Sequence, residues 1–74
     1  MQWQWFDRYW HTWSDYILAQ NQVIEQAWQN EKTTVNIGDE KWPSRWVINL
    51  VSLTQEPLEG GTLRCVRRVL ITHA

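Results

Sequence analysis

The chain has 74 residues, 43% hydrophobic and 20% charged, with three glycines and two prolines, a balance that excludes a disordered tail and leaves room for a single domain spanning residues 1–74. Its one cysteine, Cys65, excludes an internal disulfide or a Cys-x-x-Cys metal site, and no apolar run approaches the roughly eighteen residues of a membrane span. The formal charge of −1 is unevenly divided: residues 1–59 hold all eight acids against four bases, while residues 60–74 hold Arg64, Arg67 and Arg68 and no acid. Such a patch suits a compact anion and argues against a long duplex nucleic acid. The N-terminus lacks the basic-then-apolar order of a signal peptide, so the expected location is intracellular, in nucleus or cytoplasm.

Residues 2–13, QWQWFDRYWHTW, concentrate four of the seven tryptophans. Gln2-Trp3-Gln4-Trp5 alternates with period two, which predicts a strand with Trp3 and Trp5 on one face. WSDY at 13–16 is its expected hairpin partner across a turn near Arg8–His11. Asn21 is a candidate helix N-cap, followed at helical spacing by Val23, Ile24, Ala27 and Trp28, with Gln22, Glu25, Gln26 and Gln29 mostly on the other side and Asn30 as the stop. TTVNI (33–37) predicts a strand ending at Gly38-Asp39. RWVINLVSL (45–53) and GTLRCVRRVLIT (61–72) predict two more, separated by Pro57, Gly60 and Gly61. The order β-β-α-β-β-β specifies an antiparallel sheet with one helix packed on it, an α+β domain.

In the last segment Leu63, Cys65, Arg67, Val69 and Ile71 share one face and Arg64, Val66, Arg68 and Leu70 the other. A β-bulge near the Arg-Arg pair would keep the charges out of the core, and Cys65 reads as an inert buried thiol. Catalysis finds no support. His11 and His73 stand without a carboxylate pair, an activated nucleophile or a phosphate-cradling glycine loop, and no metal or cofactor is implied.

The aromatic first strand, VIEQAW on a helix, a strand closing in glutamine and a terminal RCVRRV resemble, in this order, a WWE domain, whose namesake residues correspond to Trp3, Trp13 and Glu25. The resemblance runs from about Trp3 to Val69 and implies a half-barrel: a strongly curved antiparallel sheet of about six strands with one helix against it. It also implies a non-catalytic binding module for iso-ADP-ribose within poly(ADP-ribose), or for terminal ADP-ribose. Many such modules belong to ubiquitin ligases and ADP-ribosyltransferases, whose other domains are then partners alongside ADP-ribosylated proteins, with ATP and other adenine nucleotides as lesser ligands. By the same resemblance the ligand-binding residues are Trp46 (adenine-contacting aromatic), Gln55 (base edge), Arg64 (phosphate) and Trp5 (first-strand aromatic). Ser14 stands where ligand-binding members can carry tryptophan, Thr62 near a second arginine position, and Asn49 where aspartate is frequent.

The residues alone leave alternatives open. Trp3, Trp13 and Trp28 read as core, because a chain this short has little else to fill one, and each buried ring removes about 150–250 Å² from water. Trp46 reads equally as a pocket wall or as packing that closes the barrel end, and Trp5 leans to packing. Arg67 and Arg68 read as a solvated or salt-bridged edge. Tyr9 and Trp10, in the hairpin turn, are a partner contact, a lid or a fold-back onto the sheet. A competing function is a protein-interaction or scaffolding module that keeps the fold without the pocket.

Overall fold

The computed structural model describes residues 1–71 and orders them as β1 (Gln2–Asp7), β2 (Thr12–Asp15), α1 (Leu18–Gln29), β3 (Thr34–Ile37), β4 (Trp46–Asn49), β5 (Thr54–Pro57) and β6 (Arg64–Val69). The strands form one curved, unclosed antiparallel sheet in the order β2-β1-β6-β5-β4-β3, with α1 packed against it. Strand β6 joins the two halves of the sheet. It pairs with β5 only through Arg64 and Cys65, and with β1 through Val66–Val69. Thr72, which closes the predicted last strand, and His73 lie outside the described residues.

The first hairpin forms as the alternation predicts, with Phe6 opposite Trp13 and Gln4 opposite Asp15. Its turn is organised by Asp7, whose Oδ1 accepts the backbone N–H groups of Tyr9 at 2.9 Å and Trp10 at 3.3 Å. The run over 45–53 is not one strand. After Asn49 the chain reverses, because Asn49 Oδ1 accepts the N–H groups of Val51 at 2.9 Å and Ser52 at 3.0 Å, and Leu53 takes a φ of 56°. The reversal creates β5, a sixth strand hidden by the apolar letters around the turn. Asn49 thus supplies the turn acceptor that an aspartate would also supply.

Helix α1 begins at Leu18 with Ile17 in the N-cap position, earlier than the Asn21 cap predicts, and no side chain caps it. Asn21 lies inside the helix and caps a strand instead: its Oδ1 accepts the Trp3 N–H at 2.6 Å and its Nδ2 donates to the Met1 carbonyl at 3.1 Å. At the other end Asn30 is the C-cap as expected, and Lys32 N–H to Ala27 O (2.9 Å) with Glu31 N–H to Trp28 O (3.1 Å) closes a Schellman motif.

Directly opposed residues of an antiparallel pair share a face. The registers therefore put Trp3, Trp5, Val66, Ile48, Gln55 and Trp46 on the inner side of the sheet. The core consists of Trp3, Tyr16, Ile24, Ala27, Ile37, Ile48, Leu50 and Val66, with Trp5, Val35 and Trp46 packed against it. Two of the three tryptophans expected there lie outside it. Trp13 stacks on Phe6 at 5.4 Å on the outer side, and Trp28 is 39% exposed with its ring edge-on to Trp3 at 5.5 Å.

No bulge breaks β6 in its pairing with β1, where Val69 to Val66 run without a gap opposite Gln2 to Trp5. The inner face of β6 is the one carrying Arg64, Val66 and Arg68, and Cys65 is exposed, not buried. The charges avoid the core because only Val66 sits over its centre, while each arginine reaches an end of the curved face.

Candidate functional site

The two ends of that face differ in chemistry. At the helix end, Glu25 is the hub: it accepts from Trp3 Nε1 (2.9 Å), from Arg68 Nε (2.9 Å) and Nη2 (2.7 Å), and from Gln29 Nε2 (2.7 Å). The hydrogen bonds from Arg68 are the main reason its carboxyl is held down at about 2, helped by Gln29 and Trp3 and opposed by partial burial. The same carboxylate raises Arg68, whose guanidinium also lies 5.5 Å from the Trp28 ring. Helical periodicity places Glu25 with the polar side of α1, yet it is the residue that locks the helix to the sheet.

At the opposite, open end the structure brings together three of the four predicted site residues. The Arg64 guanidinium lies 5.0 Å from the centre of the Trp5 ring, and Arg64 stands directly across the sheet from Gln55. Gln55 is only 7% exposed, so its amide oxygen needs a donor from within the chain. Tyr16 supplies it, its hydroxyl donating to Gln55 Oε1 at 2.6 Å. Burial pushes the Tyr16 phenol well above its ordinary range, against a smaller lowering by the nearby positive charge of Arg64, so it stays protonated and remains a donor. With Oε1 committed, the amide orientation is set and its N–H donors are what Gln55 can offer a ligand.

Among the described residues no carboxylate pairs with Arg64; the one ion pair is Arg68 with Glu25. The fourth predicted residue, Trp46, lies on the same face two positions before Ile48 and across from Pro57. It is half-buried against the core, with the Arg45 guanidinium 4.9 Å over its ring. Arg67 is on the outer side, held by Gln4 Oε1 at 2.8 Å and lying 4.2 Å from the Trp13 ring.

Two participants escape sequence reasoning. Tyr16 ends WSDY, and its parity with Ser14, which faces Trp5, was the available signal that it points inward. Arg45 looked like the start of a strand, and nothing in its neighbours marks it as a cover for Trp46. Ser14 lines up with Trp5 without an aromatic ring of its own, so that side of the open end is left to Trp5.

The family model described as WWE domain matches residues 1–68, a span that includes both ends of the inner face. No curated protein matches the chain.

Proposed function

The chain belongs to the WWE domain family of binding modules, which often take ADP-ribose derivatives, and from that premise we propose that it is a non-catalytic reader of ADP-ribose units. The observation that carries the reading is Arg64, a cation with no carboxylate partner among the described residues, lying over Trp5 beside an internally oriented glutamine.

Cation–π contact with Trp5 uses the flat face of the guanidinium and leaves its N–H edges for the pyrophosphate, where paired donors match paired oxygens. Gln55 reads the adenine edge with its amide N–H groups. Trp46 supplies the stacking face, worth about 1–3 kcal/mol for a base, which Arg45 covers as a flat cation until the base displaces it. The ligand is iso-ADP-ribose within poly(ADP-ribose) or terminal ADP-ribose, with ATP as a lesser candidate.

Parallel calorimetric titrations with iso-ADP-ribose, ADP-ribose and ATP test this, and binding should occur without turnover. Absence of heat with all three ligands would remove the ligand-reader reading. The interaction-module reading would then stand; its own support is the hairpin tip, where Tyr9 and Trp10 are 81% and 71% exposed.

A further inference from the structure

Next to Trp46 the β3–β4 and β5–β6 connections border a cavity of about 650 Å³, lined among others by Lys41, Trp42, Arg45, Pro57, Leu58 and Glu59. That volume falls within the range of sites that hold a drug-sized or nucleotide-sized molecule, roughly 300–1,000 Å³. Its walls are built. Asp39 Oδ1 accepts the Trp42 N–H at 2.7 Å, and the Trp42 carbonyl accepts the N–H groups of Asp39 at 3.2 Å and Arg45 at 3.3 Å. Gly38 makes this closure possible, since a Cβ there would sit 1.8 Å from the Trp42 carbonyl oxygen. The Leu58 N–H donates to the Arg45 carbonyl at 2.8 Å and ties the two connections together.

The lining carries two cations and one acid, and Trp42 offers a 51% exposed indole. Charge counted along the chain misses this, because Lys41 and Arg45 belong to the acid-rich segment. The cavity also adjoins the open end of the inner face. Arg45 lies over Trp46 and lines the cavity, and Pro57, opposite Trp46, is two residues beyond Gln55 on the same strand face, about 7 Å along it.

We propose that this cavity is a second subsite, which takes the neighbouring phosphate-bearing nucleoside unit of a polymeric ligand. Trp42 provides its stacking face and Lys41 and Arg45 its phosphate contacts. The inference rests on the reading of the open end as an ADP-ribose site. It adds that the protein recognises two linked units, because a second unit tethered to the first binds at high effective concentration. Arg45, released from Trp46 when the first base stacks there, is placed to meet the phosphates between the two units.

The test is calorimetry of the intact chain with iso-ADP-ribose and with an ADP-ribose trimer, for the unsubstituted protein and for Trp42→Ala and Lys41→Ala. Neither side chain belongs to the core, so both variants should fold. The expected result is a trimer at least tenfold tighter than iso-ADP-ribose, beyond the roughly twofold gain from carrying two equivalent iso-ADP-ribose units. Trp42→Ala should remove most of that advantage, Lys41→Ala part of it, and both should leave iso-ADP-ribose affinity within about twofold.

Equal affinity for trimer and single unit, after the statistical gain, would overturn the proposal, as would a Trp42→Ala loss that is the same for both. If iso-ADP-ribose fails to bind while the trimer binds and depends on Trp42, the cavity stands and the assignment of the open end falls. Failure of both ligands to bind overturns both.

Discussion

Arg64 and Arg68 lie four residues apart on one face of one strand, and each places its guanidinium over a tryptophan, at 5.0 Å from Trp5 and 5.5 Å from Trp28. Their difference is the partner. Arg68 is neutralised by Glu25, which α1 brings over the sheet, whereas Arg64, at the other end of the strand, has no carboxylate partner among the described residues. The same motif of cation, ring and strand is thus a structural clamp at one end and, at the other, a cation without a carboxylate partner among the described residues, which is the end proposed above to receive an anion. What decides between the roles is whether a carboxylate is supplied from within the chain.

The largest test of this contrast is at the tryptophans. Trp3→Ala removes a fully buried ring and the indole donor to Glu25, and should cost about 3–5 kcal/mol in chemical denaturation. Trp13→Ala, which removes the outer-face stack with Phe6, should cost only about 1–2 kcal/mol. The reverse order would mean that the outer face, and not the helix end, holds the fold together.

Exchanging the arginines tests the contrast directly. Arg64→Ala should weaken ADP-ribose-type binding by about 1.5–3 kcal/mol and barely change stability, and Arg64→Lys should recover only part of the loss, since a point charge lacks the planar fork. Arg68→Ala should do the opposite: a loss of about 1–2 kcal/mol in stability, moderated because the pair is roughly a quarter exposed, with binding unchanged. Equal binding losses at the two positions, erased by salt, would reduce both to a diffuse positive field.

Tyr16→Phe sharpens the open end. It deprives the buried Gln55 oxygen of its donor and should cost about 1–3 kcal/mol in stability, with several-fold weaker ligand binding as the amide loses its fixed orientation. Binding that survives at full strength would remove Gln55 from the site.

The smallest effect is the pH dependence of the helix end. Glu25 is held at about 2 in the folded protein, below its unfolded value of about 4.3. A depressed carboxyl contributes stability that is complete above the unfolded value and is lost as pH falls from there toward 2. Denaturation midpoints should therefore drop across that window, and Glu25→Gln should flatten the drop while lowering stability at neutral pH. An unchanged pH profile in Glu25→Gln would assign acid sensitivity to other carboxylates.

The period-two alternation of Trp3 and Trp5 and the β-branched TTVNI report strands faithfully, because each strand has one buried face. The β4–β5 turn stayed hidden because Val, Leu and Leu fill it, and the only local signals were Asn49 and Ser52. Trp13, expected in the core, lies on the outer side, because residue type shows size and apolarity but not which side of a hairpin a ring occupies. Cys65 failed for the same reason, since the parity of β6 is readable while its inner face is not. At the site, the patch containing Arg64 is visible as an acid-free segment, but Tyr16 is not, because its contact with Gln55 exists only where distant strands meet, and Arg45 is not, because residue order does not show which way its side chain turns relative to Trp46.

What the sequence determines by itself is local: the alternation that makes strands, the apolar spacing that makes α1, the hairpin turn near Arg8–His11, and the concentration of positive charge after residue 60. Each depends on neighbours within a few positions, so each can be read from the order of letters. Only the tertiary structure decides that Glu25, 43 residues from Arg68, neutralises that arginine and leaves Arg64 free of a carboxylate among the described residues. It also decides that Tyr16, 39 residues from Gln55, orients its amide. The reason is physical: an ion pair or a buried hydrogen bond forms by distance in space and is worth most where water is excluded, and both conditions arise only when the curved sheet brings the first hairpin, α1 and β6 to one face.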